Sequence, residues 1–251
     1  MIVVATHKKF NSDILMSNYK PVLVGALNRK EDFGYIRDDN GDNISSKNGN
    51  YCELTGLYYI IKNYNNQSDY LGLVHYRRYF VKDSFKSLFN LSEDIVDNEY
   101  IANLLKDNDV ILPVKRRYPF ISAKEHYIKN HNSEDLEVLE KVLQDFCPEY
   151  LNSYNQVMSS SAIHLYNMFI LKKDLAEEYL FWLFDILSRV EEQLDISDYD
   201  SYQSRVFGFL SERLLNVWVN EKQLKVKTLN LYEPDGRRYV EKAKKFLLNL
   251  K

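Results

Sequence analysis

Tyr70-Leu71-Gly72-Leu73-Val74-His75-Tyr76-Arg77-Arg78-Tyr79-Phe80 is the stretch on which the fold turns. Its first half is a short apolar run, the length of a buried strand rather than a helix, and it stops abruptly on an imidazole and two guanidiniums. Adjacent arginines are poor core material, and open α/β sheets bind ligands at the carboxyl ends of parallel strands, so this strand end is expected to face a ligand. Comparable runs lie on either side. Ile2 to Ala5 is β-branched and reads as a central strand, Val22-Leu23-Val24-Gly25 follows Pro21, and Asp109-Val110-Ile111-Leu112-Pro113 is closed by its proline. His164 to Leu171 is a fifth run.

Helical spacing fills the intervals. Ser45 or Ser46 can cap a helix over about Tyr51 to Asn63, where Leu54, Leu57, Tyr58 and Ile61 recur in phase. Glu134 to Phe146, Leu175 to Leu194 and Ser204 to Val219 carry apolar stripes of the same period. The alternation predicts one α/β domain with a mainly parallel central sheet flanked by helices on both faces.

At 251 residues, 45% hydrophobic and 27% charged, the chain can bury a full core and should fold throughout. The net charge of −3 argues against a general nucleic-acid binder, although Lys115-Arg116-Arg117-Tyr118 and the His75 stretch interleave basic and aromatic residues. Cys52 and Cys147 sit in no C-x-x-C or Cys/His pattern, which fits a reducing cytoplasm and disfavours a structural zinc. The start lacks the charge order of a signal peptide, and no run reaches the ~18 apolar residues of a membrane span, so a cytoplasmic protein is expected. Tyr239 to Lys251 reads as a basic amphipathic helix, able to dock on its own domain or lie on an anionic membrane.

Walker A, G-x-G-x-x-G, G-x-S-x-G and H-E-x-x-H patterns are all missing, which removes the usual supports for ATPase, dinucleotide, serine-hydrolase and zinc chemistry. What remains is anion recognition. Arg77 and Arg78 can grip a diphosphate by paired charge-assisted hydrogen bonds, or can simply form a solvated strand end paired to acids. Thr6, His7 and Lys8 leave the first strand where a nucleotide would sit in a doubly wound sheet. Asp39, Asp42, Asn43, Ser45, Lys47 and Asn48 form a dense polar loop leading to Glu53, suited to an anion or sugar and equally to an Asx turn with a helix cap.

Taken in order, Val3 to Lys8, Gly41 to Ser45, Tyr51 to Thr55, Gly72 to Phe80, Asn167 to Ile170 and Arg205 to Leu214 resemble a family of bacterial capsular and exopolysaccharide glycosyltransferases, long catalogued as a domain of unknown function and including galactofuranosyltransferase candidates. The resemblance runs over about residues 1 to 220. It implies a GT-A-like domain, taken as 1 to 236 with the terminal helix at 237 to 251. It also implies a nucleoside-diphosphate sugar donor, UDP-linked, and a lipid-linked saccharide acceptor, with no nucleic acid involved.

Most GT-A enzymes end the donor strand in Asp-x-Asp and hold a divalent metal there. Here His75-Tyr76-Arg77-Arg78 stands in its place, so cations are expected to replace the metal, with Mn or Mg bound by Asp39 or Asp42 as the alternative. The donor set is then Thr6, His7, Lys8, Asp39, Asp42, Asn43, Lys47, His75, Arg77, Arg78, Asn167 and Arg205. Glu212 and Glu53 are candidates for the carboxylate that deprotonates the acceptor, or for buried ion pairs, since Arg205 and Glu212 share a helix face. A non-catalytic sugar-nucleotide-binding module of a polysaccharide assembly complex is the rival class.

Overall fold

Alternation along the strands decides which side of the sheet each residue packs on. In the computed structural model, which describes residues 1–31, 33–64, 67–83 and 91–232, the strands are β1 (Ile2–Thr6), β2 (Tyr19–Leu23), β3 (Ile36–Arg37), β4 (Tyr70–His75), β5 (Tyr79–Val81), β6 (Val110–Pro113), β7 (Arg116–Arg117), β8 (Ala162–Ile163), β9 (Phe169–Lys172) and β10 (Val226–Tyr232). Between them run the helices α1 (Asn48–Tyr51), α2 (Leu54–Asn63), α3 (Leu91–Asp94), α4 (Asn98–Asp107), α5 (Ala123–Asn130), α6 (Ser133–Phe146), α7 (Leu151–Ser159), α8 (Lys173–Gln193) and α9 (Val206–Glu221). Val3, Ala5, Leu71, Leu73, Leu112 and Leu171 face α2 and α5 to α9, while Ile2, Val4, Val74, Ile111 and Ile170 face α4 and the β1–β2 connection. Both faces are covered, which is why these strands read as continuous apolar runs.

An eight-stranded sheet has the order β3-β2-β1-β4-β9-β6-β10-β5. β1 pairs in parallel with β2 and β4, β2 with β3, and β6 with β10, as the strand–helix rhythm predicts. The centre departs from it: β9 is antiparallel to both β4 and β6, and β5 is antiparallel to β10. The fold is therefore a mixed α/β domain with a mostly parallel sheet. Gly72 marks the tightest central contact, since a Cβ there would lie 3.0 Å from both Ile170 Cγ1 and the Phe169 carbonyl oxygen.

The helix expected over Tyr51 to Asn63 is divided. Cys52 has φ 53° and breaks α1 from α2, and Ser45 bonds to Asp38 instead of capping either helix. Helices α6, α8 and α9 fall within two residues of the expected stretches. Tyr239 to Lys251 lies outside the described residues. Among the described residues no helix is long and apolar enough to cross a membrane.

A cationic pocket at the strand ends

The carboxyl ends of the neighbouring parallel strands β1 and β4 open into one cavity of about 550 Å³. Thr6 and His7 enter it from β1, His75 to Arg78 from β4, Glu53 from the break before α2, and Arg205 and Glu212 from the start of α9. These are residues that sequence reasoning singled out, brought together from four separated segments. Thr6 lines the wall with its hydroxyl already committed, donating to the Lys8 carbonyl at 2.6 Å. Lys8, also expected in the donor set, does not line the cavity; its Nζ lies 5.4 Å from the centre of the Tyr76 ring.

Positive side chains are numerous in the cavity. Arg29, Arg77, Arg78 and Arg205 all line the cavity. The His7 imidazole is held below its ordinary pKa, first by partial burial and then by Arg29, Lys8, Arg77 and Arg205. Four guanidiniums lining one cavity give it a positive field suited to an anion. Arg29 is oriented by its own bond from Nη1 to the His7 carbonyl, 2.7 Å. Tyr76 presents a ring flanked edge-on by His7 and approached by the Arg77 guanidinium at 5.1 Å.

The same cavity carries two carboxylates, Glu53 and Glu212. Glu212 accepts from the Tyr166 backbone N–H at 2.9 Å through Oε1 and from Arg213 at 2.8 Å through Oε2. Burial pushes its carboxyl above the usual range, Glu53 adds to that, and Arg213, the Tyr166 amide and His75 oppose it. Glu53 Oε1 accepts from Asn167 Nδ2 at 2.7 Å. Arg205, expected to share a face with Glu212, instead donates to Cys52 Sγ at 3.3 Å, and Glu212 takes its pair from Arg213. Burial pushes the Cys52 thiol up to about 11, so it is protonated and a poor nucleophile near neutrality.

The remaining expected donor residues lie elsewhere. Asp39 makes a two-point pair with Arg37, 3.1 and 2.7 Å. Asp42 accepts from Tyr58, Asn43 closes an Asx turn onto the Ser45 N–H, and Lys47 pairs with Glu191 at 2.7 Å. None of these four lines the cavity. Asn167 is buried behind it and reaches it only through Glu53. Asn48 of the polar loop does line the cavity, and sequence reasoning missed Arg29, Tyr76 as a lining ring, Tyr166 and Ser201; Arg29 follows β2 by a few residues and was open to the same strand-end logic that found Arg77.

An imidazole and two guanidiniums at the end of β4 are not a donor set for a divalent cation, which prefers oxygen ligands. Among the described residues, no group of three or more His, Cys, Asp or Glu side chains is placed to hold a metal ion.

A family model described as Domain of unknown function (DUF4422) matches residues 1–223. Among solved structures, the chain is similar to the apo form of WbbM, a bifunctional glycosyltransferase, with a TM-score of 0.80 and 28% sequence identity over 92% of this chain and 44% of that one. The chain thus spans less than half the length of WbbM. No curated protein matches it.

Proposed function

The chain belongs to the DUF4422 family, and from that premise and the cationic pocket we propose that it is a glycosyltransferase taking its sugar from a nucleoside-diphosphate donor. The donor is UDP-linked, carrying galactofuranose or another hexose, and the acceptor is a lipid-linked saccharide of capsular or exopolysaccharide synthesis at the cytoplasmic membrane face. The observation that carries this is the convergence of Arg29, Arg77, Arg78 and Arg205 with Glu212 and Glu53 in one cavity.

The arginines neutralise the charge that builds on the departing diphosphate, the task a metal performs in Asp-x-Asp enzymes. Their work is largest in the transition state, when the bond from the anomeric carbon to the β-phosphate oxygen breaks. In a transfer with inversion, the acceptor oxygen bonds to that carbon from the opposite side and its proton passes to a carboxylate. Glu212 suits the role: its raised pKa makes the carboxylate a better proton acceptor, and two hydrogen bonds hold it in place. Glu53 is the second carboxylate of the site. Thr6 and His7 border the nucleotide.

Incubation with a panel of UDP-sugars, with UDP release followed over pH, tests this. Turnover should persist in EDTA and rise on the acid side through a midpoint above 4.5, the ordinary glutamate value from which Glu212 is raised. Glu212→Gln should retain donor binding and lose about 10²- to 10³-fold in turnover. Thermal stabilisation by UDP-sugars with no turnover of any of them would favour the non-catalytic binding module instead, and EDTA inhibition reversed by manganese would defeat the metal-free grip.

A further inference from the structure

We propose that Tyr166 and Asn167 form a strained bend whose task is to position Glu212, Glu53 and His75, making both residues positioning groups of the active site. This rests on the glycosyltransferase reading above. The two residues join the β8 segment to β9 and have φ of 75° and 53°. Asn tolerates the left-handed region, but Tyr has no conformational reason to occupy it, and two such residues in succession persist only where surroundings over-determine them.

The surroundings here are the site itself. The Tyr166 N–H donates to Glu212, and the Tyr166 carbonyl oxygen lies 2.7 Å from His75 Nε2. Because a carbonyl only accepts, His75 must carry its proton on Nε2. The Tyr166 ring lies 4.3 Å beneath the Arg78 guanidinium. Asn167 completes the set: Nδ2 donates to Glu53 at 2.7 Å and to the Gly208 carbonyl at 3.1 Å, while Oδ1 accepts from Ser211 at 2.8 Å. With both amide hydrogens and the oxygen engaged, a flipped amide would set its oxygen against two acceptors, so the orientation is fixed. One bend thus touches both carboxylates, the imidazole and a guanidinium, whereas a plain connection to β9 would need none of them.

Two readouts test it on the full chain. Asn167→Asp keeps the shape and the Ser211 bond but sets an oxygen against Glu53, so the two carboxylates must share a proton. The acid limb of kcat should move up by about one pH unit and kcat should fall roughly 10- to 100-fold, with the donor KM within about twofold of the original. Asn167→Gly keeps the left-handed φ without a Cβ, and should lose kcat to a similar extent while remaining folded and able to bind UDP. Unchanged kcat and pH profile in Asn167→Asp, or loss of donor affinity in step with kcat, would overturn the proposal.

Imidazole nitrogen shifts read the bend without any turnover. His75 should show a single Nε2–H tautomer in the native protein and a mixture in Asn167→Ala. The same tautomer in both would also overturn the proposal. A native protein that turns over no UDP-sugar yet shows the tautomer change would defeat the glycosyltransferase reading and leave the bend standing.

Discussion

Two stretches of this chain look equally promising as written: the strand exit His75 to Arg78 and the polar loop Asp39 to Lys47. Folded, they have opposite fates. At the strand exit, His75 to Arg78 converge with Arg29 and Arg205 on a cavity that Glu53 and Glu212 also line, and burial together with the neighbouring cations lowers the His7 pKa. In the loop, Asp39 turns to Arg37, Asp42 to Tyr58, Asn43 to Ser45 and Lys47 to Glu191. Asn43 satisfies a backbone N–H of the loop itself, and the other three pair with side chains packed beside the loop. Neighbouring parallel strands end on the same side of the sheet, so the residues that leave them face a common space. Density of polar residues along the sequence therefore does not by itself bring them to a shared cavity, whereas the ends of neighbouring parallel strands do.

The largest effect expected on that contrast is at the strand exit. Arg77→Ala with Arg78→Ala should lower kcat/KM by about 10³-fold or more, close to 4 kcal/mol of transition-state stabilisation. Arg77 is exposed, and Arg78 is half-buried and stacked on Tyr166, so the melting temperature should move by only a few degrees. UDP release and a thermal melt on one preparation check both halves. Full activity of the double variant would end the claim that the exit grips the diphosphate.

Within the loop region one carboxylate is of another kind, and it sharpens the comparison. Asp38 is fully buried and accepts from the Gly25 and Ala26 N–H groups and from the Ser45 and Thr55 hydroxyls, all within 2.9 Å. Asp38→Ala removes the acceptor shared by the Gly25 and Ala26 N–H groups and the Ser45 hydroxyl, leaves Thr55 with only the Cys52 carbonyl to donate to, and should destabilise the fold by about 3 kcal/mol, roughly 10 °C in melting temperature for a chain of this size. Activity per folded molecule at low temperature should survive far better than in the arginine variant. A stable but inactive Asp38→Ala protein would place this carboxylate in the chemistry.

The difference between these regions also measures what was legible beforehand. Strand positions were, because the Ile2 to Ala5, Leu71 to Val74 and Val110 to Leu112 runs are apolar on both faces. The direction of β9 was not, since Phe169-Ile170-Leu171 has the same composition whichever way it pairs. Arg77 and Arg78 were singled out by their place at a strand exit, Glu53 by its place after the polar loop, and Arg205 and Glu212 only with the resemblance. Tyr166 was invisible: nothing in a tyrosine between Leu165 and Asn167 announces a positive φ, which is imposed by Glu212 and His75 from distant segments. The break at Cys52 was hidden in the same way, inside a sequence with good helical spacing.

The smallest expected effect falls on the rest of the loop. Asp42→Ala, Asn43→Ala and Lys47→Ala should each change kcat/KM by less than about twofold, since no residue of the three lines the cavity. Each should cost little stability as well. Lys47 and Glu191 are 45% and 31% exposed at their side chains, and pairs of that kind contribute about 0–1 kcal/mol, screened further by salt. Lys47 is the most informative of the three, because its long side chain is the one that could reach a ligand if the loop moved. A tenfold loss of donor affinity in Lys47→Ala, with stability unchanged, would mean that the Glu191 pair opens when the diphosphate arrives and that the loop closes over it. The two regions would then differ in when they meet the donor, and local satisfaction of polar groups would describe a resting state instead of an exclusion from the site.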